Sequence, residues 1–299
     1  MARDAKSYTC GGPADLSARY RKANAVPGGG QDASRKNLAA GTSGTSIFDP
    51  VLCELAYRWF SPFGGVVLDP FAGGSVRGIV AAMLGRRYVG VDLRAEQVAA
   101  NVEQADAICS DPFPVWHVGD SRNIAELVGP DFPGADFVFS CPPCGDLEVY
   151  SEDERDLSTM DYGEFLAAYS EIIAATCALL KPDRFACFVV GDFRGGGGFY
   201  RQFPWYTIQA FDDVGVKLYN EAVLLTAVGS LPIRAGKQFA VSRKLGKTHQ
   251  NILVFCKGDP KVAAAACGDP KIPEAAFLEF EKAGQVQCPE CGHVFGGAI

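Results

Sequence analysis

The 299-residue chain lacks any uninterrupted apolar run of about 18 residues, the length a membrane-spanning helix needs. Its opening, Met1-Ala2-Arg3-Asp4-Ala5-Lys6, is polar and has no apolar segment with a cleavage site behind it, so no secretory signal is expected. A surplus of basic charge is also missing. The 28 Lys and Arg stand against 35 Asp and Glu, for a formal net charge of −7. That excludes a globally basic nucleic-acid binder but leaves room for a local basic surface. The dinucleotide fingerprint Gly-x-Gly-x-x-Gly is absent, and so is the Gly-Lys-Ser/Thr of a Walker loop. Paired cysteine spacings of a secreted disulfide framework are lacking too. The eleven cysteines are odd in number and sit inside apolar runs (Cys177, Cys187, Cys256) as often as in loops. A reducing, cytoplasmic setting with mostly buried free thiols follows as the expectation.

What is present suits a folded domain. Hydrophobic residues make up 48% and charged residues 21%, ample for a sizeable core and unlike a disordered chain. Residues 1–45 are rich in Gly, Ala and Ser and show no period; they read as a basic, irregular arm able to contact phosphates. From Phe48 to Phe60 the apolar positions recur at helical spacing behind Asp49 and Pro50. Short apolar runs then alternate with helix-length segments. Strands are expected at 66–68, 88–91, 115–118, 136–139, 185–190, 222–228 and 252–255. The best helix starts at Asp161, with Glu164 at capping-box spacing, and carries one apolar stripe from Phe165 to Leu180. Strands separated by helices predict parallel βαβ units: an α/β, doubly wound, mostly parallel, Rossmann-like sheet of seven strands with helices on both faces. Ligands of such sheets bind beyond the carboxyl ends of the strands.

The sharpest local pattern lies at such an end. In Leu68-Asp69-Pro70-Phe71-Ala72-Gly73-Gly74-Ser75 a strand runs into a carboxylate, then a glycine-bearing turn that opens a helix. Glycines allow close backbone approach, and a helix N-terminus offers free N–H groups. Asp92 follows the next strand and suits ribose hydroxyls. Asp120 and Ser121 follow the third strand, where a carboxylate can accept from an adenine amine. One strand-end Asp is commonly only a helix cap. Three of them beside this turn point to a ligand carrying an amine and an adenosine, and a carboxylate before the turn disfavours a phosphate there.

Together, Leu68 to Gly74, Tyr88-Val89-Gly90-Val91-Asp92, Ser140-Cys141-Pro142-Pro143-Cys144 and Thr248 to Phe255 resemble S-adenosylmethionine-dependent DNA amino-methyltransferases. The resemblance covers roughly residues 45–258, has the motif order of the gamma type and the flavour of phage-borne modification enzymes. It implies S-adenosylmethionine as cofactor, held by Phe48, Asp69, Pro70, Phe71, Gly73, Gly74, Asp92, Asp120, Ser121 and Ser140. It implies DNA as partner, with one base extruded into a catalytic loop at Cys141, Pro142, Pro143 and Cys144. A bacterial or phage-infected host cytoplasm is the setting it suggests.

The family carries Asp/Asn/Ser-Pro-Pro-Tyr/Phe/Trp where this chain has cysteine at both variable positions. Cysteine is a poor acceptor and cannot stack as an aromatic does. Three readings stay open. The loop works on an exocyclic amine of adenine or cytosine, helped by proline carbonyls and Ser140 or Asp146, with Tyr150, Phe199 or Tyr200 as stacking face. Alternatively Cys144 is a nucleophile toward cytosine C6, as in C5-methyltransferases, with Asp192 near the base. Or the site is silent, or takes another acceptor, in a cofactor-binding nucleic-acid module. The run 145–154 is strongly acidic and reads as a solvated lid.

Between Ala222 and Lys257 there is no acidic residue. Arg234, Lys237, Arg243, Lys244 and Lys247 fall in a predicted loop at 229–249, with Leu231, Ile233 and Phe239 among them, and are the candidate nucleic-acid contacts. The glycine-rich stretch Gly195 to Arg201 is a second loop placed to close on substrate. Residues 259–299 form an extension in which Cys288 and Cys291 make half of a zinc ribbon, with Cys267 or His293 available to complete it. With no second Cys-x-x-Cys near it in sequence, zinc and a frayed tail both remain readings.

Overall fold

The computed structural model describes residues 48–143, 151–226 and 231–270, together with the strands Val286–Gln287 and Val294–Phe295; the side chains of residues 232–234 and of those two strands fall outside the description. The arm at 1–45, Cys144, Asp146, Tyr150, the Arg234 side chain, Cys288, Cys291 and His293 lie outside the described residues.

Local chemistry explains why each element starts where it does. The Asp49 carboxylate accepts from the N–H groups of Val51 and Leu52, and Pro50 takes the first helical position, opening α1 (Pro50–Phe60). Strand β1 (Val66–Asp69) is buried throughout, as a central strand covered on both faces must be. Helix α2 (Val76–Met83) follows and is stopped at Gly85, which has a positive φ of 74°. A side chain there would also run into the Phe63 ring. Next come β2 (Arg87–Asp92), α3 (Ala95–Ile108), β3 (Val115–Val118), α4 (Ile124–Val128) and β4 (Ala135–Ser140). Helix α5 (Tyr162–Leu179) has the full capping box between Asp161 and Glu164 and buries Phe165, Tyr169, Ile172 and Ile173 on one stripe. Each such side chain contributes about 1.5–3 kcal/mol by leaving water. The remainder is β5 (Leu180–Val190), α6 (Phe203–Asp213), β6 (Lys217–Leu225), α7 (Leu231–Ser242), β7 (His249–Lys257) and α8 (Pro260–Cys267).

The seven strands lie in the order β3-β2-β1-β4-β5-β7-β6. Neighbours from β3 through β5 are parallel, and β7 runs antiparallel to both β5 and β6. Side chains alternate across β4. Phe137 and Phe139 meet Tyr57 of α1 edge-on at 6.2 and 5.4 Å. Val138 instead belongs to the core cluster formed with α5 and α6. On that second face Phe188 of β5 meets Phe211 of α6 at 5.0 Å. Helices therefore cover both faces, and the doubly wound α/β sheet expected from the alternation is present. Strand order reverses between β1 and β4, the switch point at which open α/β sheets place their ligands.

Four expectations change. The stretch 229–249, read as a loop, holds α7. Pro232 falls in the first turn, where a missing N–H costs nothing, and Gly236 in mid-helix costs about 1 kcal/mol without breaking it. Helix α6 was not foreseen. Strand β5 begins at Leu180, ahead of the run expected at 185–190, with Pro182 in its irregular start. Helix α8 packs against β5 and α1, and the larger compact unit runs to Gly268, past the boundary at 258 read from the sequence. Strands β8 (Val286–Gln287) and β9 (Val294–Phe295) pair antiparallel in a separate unit. Among the described residues no helix is long and apolar enough to cross a membrane.

Candidate cofactor and substrate site

The site is built around one buried carboxylate. Asp69 ends β1 with no exposed surface. Its Oδ2 accepts from Arg77 Nε at 2.6 Å and from the Tyr88 hydroxyl at 2.8 Å. Its Oδ1 accepts from Ser140 Oγ at 2.5 Å and from the Phe71 N–H at 3.1 Å. A carboxylate has about four acceptor directions, so the protein itself occupies all of those on Asp69. Expected as a cofactor contact, Asp69 is placed as the brace of the turn. The Ser140 bond matters most, because it spans the switch point and ties the turn after β1 to the loop after β4.

Arg77 makes this burial tolerable. A carboxylate out of water requires a charged partner with good geometry. The Arg77 side chain is 5% exposed, and it also donates to the carbonyls of Phe71 at 2.6 Å and Ala72 at 2.9 Å. Its guanidinium lies 4.8 Å from the centre of the Phe48 ring. Burial alone would lower its pKa, but the Asp69 charge outweighs that and holds it above the ordinary arginine value. Burial, and then the Asp69 charge, push the Tyr88 phenol up as well. Sequence reasoning missed Arg77 and Tyr88. The signal for Arg77 was available: a charged residue among Val76, Ile79 and Val80 on the buried face of α2.

The turn is open above this brace. Gly73 has a φ of 49°, a conformation that side chains resist. Its N–H donates to Asp92 Oδ2 at 2.9 Å, and its carbonyl accepts from Asn101 Nδ2 at 2.7 Å. A Cβ built on Gly74 would meet nothing within 4 Å. Asp92 Oδ1 accepts from the Arg94 N–H at 2.9 Å, and Arg94 Nε lies 3.9 Å away. Burial raises the Asp92 pKa, and the Arg94 and Gly73 contacts only partly offset it. Two of its about four acceptor directions are taken by these backbone groups, which leaves capacity for hydroxyl donors.

The third strand end is more committed. Asp120 accepts from the N–H, Nε and Nη2 of Arg122 at 2.9, 2.8 and 2.6 Å. Burial would raise its pKa, but these bonds win and hold it below the usual carboxylate value. Ser121 is buried and donates to the Pro70 carbonyl at 2.6 Å, bracing the turn from below. Phe71 stacks on Tyr169 at 5.8 Å. Beyond β4, Cys141 and Pro143 are part-buried and Pro142 is buried. Ser140 is fully buried, its hydroxyl proton donated to Asp69, and burial keeps its remaining acceptor lone pairs from reaching outward to an amine. Asp192, after β5, accepts from the N–H groups of Phe193 and Phe203 and thereby holds the start of α6.

The structure thus gathers Phe48, Asp69 to Gly74, Asp92, Ser121, Ser140 and Cys141 to Pro143 around one switch point. Because β6 runs parallel to β5, α7 also lies at the carboxyl edge. Lys237 and Arg243 are exposed there, whereas Lys244 and Lys247 are part-buried. Among the described residues no cluster of His, Cys, Asp and Glu fit for a metal occurs.

No protein-family model matches the sequence. No curated protein matches it. Solved structures do show likeness. TrmN from Thermus thermophilus aligns at a TM-score of 0.48 and 18% identity, over 72% of this chain and 51% of that one. The chain therefore spans about half the length of that protein. A TehB-like SAM-dependent methyltransferase from Corynebacterium glutamicum aligns at 0.42 and 17% identity, over 75% and 93% of the two chains. Magnesium protoporphyrin IX methyltransferase from Synechocystis PCC 6803 aligns at 0.44 and 14%, over 81% and 91%. At such identities the substrates of those proteins say nothing of this one.

Proposed function

We propose that the chain is an S-adenosylmethionine-dependent methyltransferase acting on a base swung out of DNA, with an exocyclic amine of adenine or cytosine as acceptor. The observation that carries this reading is the Ser140–Asp69 hydrogen bond across the switch point. It sets an open glycine turn and a ribose-competent carboxylate directly beside a proline-walled loop. A methyl donor and its acceptor need that adjacency, since orientation supplies much of the rate. The residues fit the cofactor: Gly74 leaves space for close approach, and Asp92 retains acceptor capacity for ribose hydroxyls. When bound, that cofactor supplies an electrophilic methyl group on a sulfonium sulfur.

This chain's own groups do the rest. Gly73 and Gly74 admit the ligand, and Asp92 orients it. With Ser140 committed to Asp69, the main-chain carbonyls of Cys141 and Pro142 are the acceptors for the amine N–H groups, which leaves the nitrogen lone pair to face the methyl. Lys237, Arg243 and their neighbours on and after α7 hold phosphates. A cytoplasmic setting, in a bacterium or a phage-infected host, suits a chain with buried single thiols at Cys53, Cys177 and Cys187.

The test uses purified full chain, tritiated S-adenosylmethionine and unmodified duplex plasmid DNA, followed by nucleoside mass spectrometry. N6-methyladenine or N4-methylcytosine is the expected product. 5-Methylcytosine would transfer the chemistry to a Cys144 thiolate attacking C6. Donor binding in calorimetry with no label on DNA would leave a methyltransferase of another acceptor or a silent cofactor-binding module, and no donor binding would refute the reading entirely.

A further inference from the structure

The hairpin after β5 is stiffer and more cationic than its run of glycines suggests. Arg194 and Tyr200 form an antiparallel bridge. The turn closes with Gly198 N–H donating to the Gly195 carbonyl at 2.8 Å and Gly195 N–H donating to the Phe199 carbonyl at 3.0 Å. Arg194 stacks its guanidinium 3.8 Å from the Tyr200 ring centre and donates to the Gly198 carbonyl at 2.8 Å. The base is pinned as well. Arg201 lies 4.4 Å from the Tyr162 ring centre, and the Tyr162 hydroxyl donates to the Arg201 carbonyl at 3.0 Å.

The glycines serve this arrangement. A Cβ on Gly195 would fall 2.6 Å from Arg201 Nε, and one on Gly198 would fall 2.7 Å from Lys244 Nζ. Side chains at those positions would push two cations off the turn. Three positive groups therefore converge on a stretch, Phe193 to Gln202, that has no acidic residue in a chain of net charge −7. At the tip stands Phe199, 83% exposed. A lone exposed aromatic is unremarkable. One held at the end of a braced cationic finger, beside the loop that follows β4, is placed for use.

We propose that Phe199 is a wedge. It enters the base stack of duplex DNA at the gap left by the extruded base, while Arg194 and Lys244 meet the flanking phosphates. The inference rests on the reading that the substrate is DNA with an extruded base. Pulling a base from the stack has a cost, and an apolar side chain inserted between base steps offsets it. No such help is needed when the base is already unpaired.

That difference supplies the test. Wild type, F199A and F199W are compared for tritiated methyl transfer to the same plasmid DNA, duplex and heat-denatured. Because the Phe199 side chain is mostly in water, thermal midpoints stay unchanged. The expected result is a loss of roughly tenfold or more on duplex DNA for F199A, with little change on denatured DNA and near-normal values for F199W. Equal losses on both substrates, or no loss on either, would overturn the wedge. Wild type that labels neither form while still binding the donor in calorimetry would instead refute the DNA reading, and the wedge with it.

Discussion

Removing the cation beneath the turn is the most demanding trial of the site as described. In Arg77→Met the long side chain is kept, but the Asp69 carboxylate loses its counter-charge in a place with no exposed surface. Breaking one side of such a buried pair costs about 3–5 kcal/mol, because the remaining charge stays out of water. The pair is too buried for solvent screening to reduce this much: the two side chains are 5% and 0% exposed. For a unit of this size each kcal/mol shifts Tm by about 2–4 °C, so a fall of roughly 6–20 °C is expected in calorimetry. The double variant D69N/R77M should regain a substantial part of that loss, since a neutral amide costs less to bury than a bare charge. If R77M fell by less than about 2 °C, or if D69N/R77M were no better than R77M, the ion pair would not be what holds the turn.

Asp92→Asn should weaken donor affinity in calorimetry by roughly tenfold or more, the value of hydrogen bonds to a charged acceptor. Because burial raises the Asp92 pKa, wild-type affinity should fall on acidification with a midpoint above the ordinary value of about 3.9, while D92N stays flat over that range. The same raised pKa stabilises the fold only at low pH, so D92N should be no less stable than wild type at neutral pH. Gly74→Leu fills open space without strain and should abolish donor binding while leaving Tm unchanged. Asp161→Ala removes the cap of α5 and should cost about 1 kcal/mol, read as a Tm drop of about 2–4 °C with donor affinity intact. K237Q/R243Q should flatten the salt dependence of duplex DNA binding by about 0.9 log units per lost phosphate contact, and an unchanged slope would remove α7 from the interface.

The architecture was legible because the central strands leave no choice. Val66 to Leu68 and Phe137 to Phe139 are apolar on both faces, which only a sheet covered twice can accept. The turn at Asp69 to Gly74 was legible for a similar reason, since strand, carboxylate, glycine and helix start follow in unbroken order. What the sequence concealed depends on contacts between distant residues. Asp69 was read as facing a ligand because its donors, Arg77, Tyr88 and Ser140, stand 8, 19 and 71 residues away. Helix α7 was hidden by Gly229, Pro232, Gly236 and Gly246, which read as loop punctuation. Helix α6 was hidden by its start at Gln202, a left-handed residue with no side-chain cap.

The same long-range bonds also bear on the part Ser140 can take in the proposed catalytic loop. A serine before the Pro-Pro pair looked able to orient an amine in place of the missing Asp or Asn. Its hydroxyl is instead buried against Asp69, and moving it outward would strip one donor from a carboxylate with no access to water. The loop is therefore anchored by Ser140 and left without a strong side-chain acceptor at Cys141. Main-chain carbonyls do not depend on which residue occupies position 141, so a cysteine there is compatible with amine chemistry. Aromatic stacking is harder to replace, because no backbone group imitates a ring. Under the proposed DNA reading, the missing aromatic at Cys144 concerns the base held outside the helix, and the ring at the tip of the neighbouring hairpin is assigned to the duplex.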